Sequence, residues 1–309
     1  MNIFTADFFF SIIRIATPIL FATLAAVIGE KGGVSNIGLE GIMMMSALFG
    51  SLGAYWTKSW LIGLLLAMAV GLLESLVMGF FAFNLKTNII LTGTAINMIG
   101  SGGCLFLVKV ITGQASTTAL ITKSLQIPSI SIPLIRDIPY IGKIISGHSV
   151  LTYIAFLLVW LTIVLLYKTP LGLNIRSVGE NPNAASSVGV SVLKIQYITI
   201  GIGGILAGMG GAFMSMYYAM GWSQDMVAGR GFIALAAQSM GGGEPVGSML
   251  AALIFGFASA LGIKISATGV DSNLVAPIPY IVTIIALVIF ALNEKRKEKQ
   301  RHSSAALQK

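Results

Sequence analysis

The stretch Val150-Leu151-Thr152-Tyr153-Ile154-Ala155-Phe156-Leu157-Leu158-Val159-Trp160-Leu161-Thr162-Ile163-Val164-Leu165-Leu166-Tyr167 holds no charge, no glycine and no proline. A helix needs about 20 apolar residues, with a range of roughly 17–25, to cross a hydrocarbon core of roughly 30 Å. This run meets that length, and it has no polar face to turn toward water. In lipid every backbone N–H and C=O must be paired within the protein, so the segment is read as a helix. The same measure, moved outward along the chain, finds Phe8 to Ile28, Ile37 to Tyr55, Trp60 to Phe83, Ile89 to Ile111, Ile195 to Tyr218, Val246 to Ile265 and Ala276 to Leu292. A shorter apolar piece, Phe232 to Met240, either crosses or dips in and returns. The expected fold is all-α: a polytopic transmembrane helical bundle of about nine crossings, within a range of about eight to ten.

Composition agrees. Of 309 residues 56% are hydrophobic and only 10% charged, where a soluble domain carries about 25% charged residues. The formal net charge is +8, and six of the 19 Lys and Arg residues fall in the last stretch, at Lys295, Arg296, Lys297, Lys299, Arg301 and Lys309. The others are scattered singly between apolar runs, with no basic face interleaved with aromatics, so nucleic acid is not an expected partner. Cys104 is the one cysteine and cannot form an internal disulfide. No pair of His, Cys, Asp or Glu has metal-ligand spacing. No Lys or Arg precedes Arg14, so the first apolar run reads as a membrane helix rather than a cleavable signal.

The basic tail, residues 294–309, places the C-terminus in the cytoplasm. Residues 1–293 form the transmembrane domain. Within it, residues 112–149, with Pro128, Pro133 and Pro139, make one long loop, and residues 168–194 make the longest polar stretch of the second half. If Phe232 to Met240 crosses, residues 168–194 are cytoplasmic and the N-terminus is outside; if it only dips, both are reversed. The remaining loop charges do not decide between these. Gly201, Gly203, Gly204, Gly208, Gly210 and Gly211 share one span. Small residues let helix backbones approach closely, so this helix either packs centrally or lines a moving pathway.

The polar stretch carries Gly172-Leu173-Asn174-Ile175-Arg176-Ser177-Val178-Gly179-Glu180-Asn181-Pro182-Asn183-Ala184-Ala185-Ser186-Ser187-Val188-Gly189-Val190. Asn181 suits a helix N-cap, Pro182 the first turn, and Gly189 the position just past the end. The helix between them has about two turns, too short to stand alone in water, so it rests on the membrane face or on a partner. This segment resembles the cytoplasmic loop of ABC-importer permeases that serve ribose, branched-chain amino acids and nucleosides. Gly29-Glu30-Lys31-Gly32-Gly33-Val34-Ser35-Asn36-Ile37-Gly38-Leu39-Glu40-Gly41-Ile42-Met43 is similar to a pattern of that family's nucleoside branch. Gly241-Gly242-Gly243-Glu244-Pro245-Val246-Gly247-Ser248 resembles its glycine-rich turn.

The resemblance implies a fold, a job and partners. The loop 168–194 would be cytoplasmic and hold the coupling helix, with Arg176, Gly179, Glu180, Asn181, Pro182, Ala184 and Ala185 at the contact with an ATP-hydrolysing subunit. Phe232 to Met240 would then cross, with 112–149 external and the N-terminus outside. The chain begins too late for the additional N-terminal helix of many members, which fits that orientation. A second, related permease would complete a mixed pair, and a binding protein or lipoprotein would deliver substrate. No Gly-x-x-x-x-Gly-Lys-[Ser/Thr] occurs, so ATP and magnesium would be held by the partner and no cofactor by this chain.

Polar groups at membrane depth are the candidate substrate contacts: Asn36, Glu40, Thr92, Asn97, Gln238 and Ser239. Asn36 and Glu40 lie four apart, on one face if that segment is helical. Neutral amides and hydroxyls match the donors and acceptors of a ribose or a base edge. The same groups also serve as hydrogen bonds between helices, worth about 0.6 kcal/mol on average. Catalytic signatures are missing: there is no Gly-x-Ser-x-Gly, no His-Glu-x-x-His and no paired carboxylates in a polar pocket. Within the family the rival substrates are ribose and branched-chain amino acids. From another class, an ion-coupled secondary transporter could use Glu74 as its intramembrane carboxylate.

Overall fold

The computed structural model describes residues 5–113, 117–118, 125–133 and 140–266, with the single positions 277, 281, 284, 285 and 288. The expected span Ala276 to Leu292 is thus met only at single positions, and the basic tail lies outside the described residues.

The other apolar runs are helices, in most cases within a turn of their expected ends. They are α1 (Ala6–Lys31), α2 (Leu39–Thr57), α3 (Trp60–Gly79), α4 (Ile89–Met98) and α5 (Cys104–Thr112). There follow a short α6 (Ile141–Ile145), α7 (Val150–Lys168), α8 (Pro170–Glu180), α9 (Pro182–Ser187), α10 (Val192–Phe213), α11 (Arg230–Met240) and α12 (Pro245–Ser266). Six continuous helices among the described residues are long and apolar enough to cross a membrane, counting π-helical turns as part of them. These turns are Phe80–Asn84 after α3, Ile99–Gly103 between α4 and α5, and Met214–Tyr218 after α10. Two features depart from the expected organisation. Thr117–Thr118 (β1) pairs antiparallel with Trp222–Ser223 (β2). The stretch before Asn181, expected as loop, is the eleven-residue α8, with Thr169 as its N-cap and Pro170 in its first turn.

The centre of the bundle is α1, α2 and α10. Helix α3 packs on α2 and α10, while α11 and α12 pack on α1. Most of α1 and α10 is buried, whereas the outer helices expose Leu73, Leu91, Phe106 and Trp160. Exposed apolar side chains on helices of this length suit hydrocarbon, not water. The glycine-rich α10 owes its central place to close approach. A Cβ at Gly211 would collide with the Met43 carbonyl of α2, and one at Gly204 with the Gly71 carbonyl of α3.

The path between α10 and α12 decides which ends meet. Tyr218, at the far end of α10, lies 5.3 Å from the Arg14 guanidinium. The chain then turns inward, where Trp222 is buried and donates to the Met44 carbonyl at 3.3 Å. Helix α11 follows and ends beside Lys31, which bonds Glu244 at 2.8 Å. Lys31 also adjoins Gly179 of α8. Residues 219–244 therefore carry the chain from one end of the bundle to the end that holds α8 and α9.

Candidate functional site

Two helices start inside the bundle instead of at its surface. The chain leaves α1 at Lys31 and runs without helix to Gly38 before α2 begins; α11 begins at Arg230 after the inward turn. A helix start leaves its first N–H groups without intrahelical partners, and away from water an unpaired group is costly. Polar side chains meet that need. Asn36 Oδ1 accepts from Gly38 N at 3.0 Å. Asn97, from α4, accepts from Gly41 N at 2.8 Å and donates to the Ile37 carbonyl at 2.9 Å. Glu40 Oε1 accepts from Gly229 N and Oε2 from Gly231 N, both at 2.7 Å. Its carboxylate thus sits at the positive end of α11, where a negative charge is stabilised by the helix dipole, with φ +75° at Gly229 turning the chain into the helix.

Asn36, Glu40 and Asn97 are therefore brought together; the other expected substrate contacts are not. Thr92 sits in the first turn of α4, bonded to the Asn88 carbonyl at 3.1 Å and the Thr87 hydroxyl at 3.0 Å. Gln238 and Ser239 lie at the end of α11, 3.3 Å from each other, and the Gln238 carbonyl accepts from Gly243 N. Glu74 is buried in α3, and its Oε2 has no hydrogen-bond partner among the described residues.

The second constellation is at the end holding α8 and α9. Asn181 ends α8 and caps α9, accepting from Ala184 N at 3.1 Å, and Pro182 occupies the first turn. Gly189, at φ +88°, closes the unit. Ala185 is buried with Val27, Leu166, Ile175, Val178 and Ile195, while Asn181, Pro182, Asn183 and Ala184 are exposed, as is Val188 at 79%. Arg176 turns back onto the bundle: its Nε donates to the Leu166 carbonyl at 3.0 Å and its guanidinium lies 5.0 Å from the Tyr167 ring. Gly179 presses on the Lys31 carbonyl. Glu180 is exposed and lines a cavity of about 610 Å³ with Glu30, Lys31, Tyr167, Arg176 and Glu244. Burial alone would raise the Glu244 carboxyl, but hydrogen bonds from Lys31 and Tyr167 outweigh it and hold the group below the ordinary carboxylate range.

The opposite end holds a residue that the sequence did not single out. His148 is buried, stacks on Phe10 at 3.9 Å, and bonds the Ile144 carbonyl through Nε2. Burial lowers its pKa against the upward pull of that carbonyl, and nearby Arg14 adds to the lowering. A lone loop histidine gave no sequence signal of this.

The family described as "Branched-chain amino acid transport system / permease component" matches residues 8–292. The chain belongs to that family. As an ABC permease it is an integral membrane protein and a transport subunit, not an enzyme, and it works with an ATPase and a substrate-binding protein. The reading as an ion-coupled secondary transporter falls with that membership. The permease is 39% identical over 289 residues, 89% of each chain, to the guanosine ABC transporter permease protein NupQ of Bacillus subtilis. It is 33% identical over 291 residues, again 89% of each chain, to the nucleoside ABC transporter permease protein NupC of Lactococcus lactis. A second Bacillus subtilis relative, the guanosine ABC transporter permease protein NupP, is 26% identical over 291 residues, 90% of this permease and 78% of that chain. No solved structure matches the permease.

Proposed function

We propose that this permease forms the membrane path of an ATP-driven nucleoside importer in a bacterial plasma membrane. The observation that carries the substrate is the likeness to guanosine and nucleoside permeases over 89% of the chain. Residues 168–194 are the cytoplasmic loop, 112–149 the external loop and 294–309 a cytoplasmic tail. The N-terminus lies outside, and about nine crossings result. The return of residues 219–244 to the end that holds α8 and α9 supports this count. The chain itself holds no cofactor; ATP and magnesium belong to the ATPase.

The substrate passes where α2 and α11 begin within the bundle. Interrupted helices mark binding sites in transporters, because they bring backbone and polar side chains to membrane depth. Asn36, Glu40 and Asn97 shape that place; Thr92 and Gln238–Ser239 lie nearer the cytoplasmic mouth. The exposed face of Asn181, Pro182 and Ala184, with Glu180 beside it, meets the ATPase. Arg176, Gly179 and Ala185 hold that face against the bundle. The permease pairs with a second, longer relative, as the match over only 78% of NupP's length suggests.

Uptake of labelled nucleosides in cells with and without the gene, with ribose and leucine as controls, tests the substrate. Loss of nucleoside uptake alone is expected. Normal nucleoside uptake together with lost ribose or leucine uptake would replace this substrate with one of the rivals.

A further inference from the structure

Glu244 stands on the glycine turn between α11 and α12, outside both the exposed docking face and the helix starts. Its Oε1 accepts from Lys31 Nζ of α1 at 2.8 Å, and its Oε2 accepts a short hydrogen bond from the Tyr167 hydroxyl of α7. The Tyr167 ring in turn carries the Arg176 guanidinium of α8 at 5.0 Å. Three parts of the chain that are far apart in sequence, the end of α1, the α7–α8 corner and the turn before α12, thus meet around one carboxylate, at the rim of the cavity of about 610 Å³ beside α8.

We infer that Lys31, Tyr167, Arg176 and Glu244 form a clasp that passes movement of the α8–α9 loop to α11, with Glu244 as a positioning residue for transport. The clasp rests on the reading of that loop as the ATPase contact.

Three observations carry it. First, Glu244 is attached tightly to α11: Gly243 N bonds the Gln238 carbonyl at 3.0 Å, and Gly242 and Gly243 take φ of +66° and +68°, a close turn open to glycine. A Cβ at Gly241 would collide with the Ser248 backbone, so the turn has no slack in which a pull on Glu244 would be lost. Second, the other end of α11 is tied by Glu40 to the start of α2. The eleven residues of α11 span roughly 16 Å and join the clasp to the helix starts at membrane depth. Third, the Lys31–Glu244 pair is 24% and 52% exposed. An ion pair so open to water adds little to stability, which suits a contact broken and remade in every cycle. Arg176 enters through Tyr167 and the Leu166 carbonyl, both in the last turn of α7, so tilting α8 shifts the phenol that holds Glu244.

The test uses the full complex in proteoliposomes, with labelled guanosine uptake and ATP hydrolysis measured in the same vesicles. Lys31→Glu and Glu244→Lys are each expected to lower guanosine moved per ATP about tenfold, the size of an ordinary coupling between sites. The double variant, with the charges exchanged, is expected to recover most of the ratio. Tyr167→Phe, which removes one hydroxyl and keeps the ring under Arg176, provides a mild variant that folds and is expected to lower the ratio by a smaller factor. An unchanged ratio in both reversals and in Tyr167→Phe, or a double variant no better than the singles, would overturn the clasp. Failure of the unmodified permease to bind the ATPase would instead overturn the reading of the loop, and the clasp with it.

Discussion

At the scale of single residues, the polar groups at membrane depth first serve the backbone. Asn36 and Glu40, four apart, read as one helical face, yet α2 begins only at Leu39. Asn36 folds onto Gly38 N in a turn, a local bond that Asn side chains form readily. The two residues still share one place, because Asn97 gathers that turn from α4. Their types were legible in the sequence; their partners were not, since Gly229 and Gly231 stand about 190 residues away from Glu40 and no local rule links them. Gln238 and Ser239 were drawn into the same group only because they are polar within an apolar run. Glu40→Gln tests the assignment. A carboxylate accepts both N–H groups, whereas an amide offers one oxygen and turns its NH₂ toward the other donor. Leaving one buried donor unpaired costs about 1–3 kcal/mol, so the thermal midpoint of the purified permease should fall and uptake should fall with it. A midpoint equal to that of the unchanged protein would show that Glu40 is not the tie between α2 and α11.

At the scale of elements, the α8–α9 unit shows what local chemistry discloses and what it hides. Asn181, Pro182 and Gly189 announced α9 correctly, because cap, first-turn proline and terminal glycine each answer a backbone need that is visible in sequence. Thr169-Pro170 gave the same kind of signal for α8. Gly172 and Gly179 are poor helix formers and weaken that signal. Both are there for contact: a Cβ at Gly172 would collide with the Leu165 carbonyl, and one at Gly179 with that of Lys31. Burial then divides the expected coupling residues. Ala184 and Glu180 face outward, and Ala185 faces the core. Substitutions at the two kinds of position should fail differently. Glu180→Arg should leave the fold and membrane insertion intact while lowering transport per ATP about tenfold. Ala185→Leu overfills a packed core and should cost about 1–3 kcal/mol of stability. Paired measurements of the coupling ratio and the thermal midpoint separate the two; the same defect in both variants would remove Glu180 from the ATPase contact.

At the scale of the whole molecule, the apolar runs announced the bundle because lipid demands long uncharged helices, a demand written along the sequence itself. The order of packing was not so written. That α1 and α10 are central, while α3, α7 and α12 lie outside, is not told by hydropathy, which is as high in the outer helices as in the central ones; for α10, close contacts at Gly204 and Gly211 seat the helix against α3 and α2. Hydropathy also cannot tell a face that meets lipid from one that meets another permease, since both are apolar. The exposed Leu73, Leu91, Phe106 and Trp160 leave room for either. The relatives bear on the choice. Two of the relatives are guanosine permeases of Bacillus subtilis, and this chain is 39% identical to one and 26% to the other. This unequal likeness to the two suits the proposed mixed pair, in which each half keeps its own interface. A tag on this permease should therefore recover the longer relative and the ATPase in equal amounts from native membranes. Expressed without that relative, it should insert in the membrane but recover little ATPase, because one docking loop would lack its counterpart. A stable complex holding two copies of this chain, with full ATPase binding, would refute the mixed pair. It would also require the surface that meets the second permease to be self-complementary, as two-fold symmetry demands.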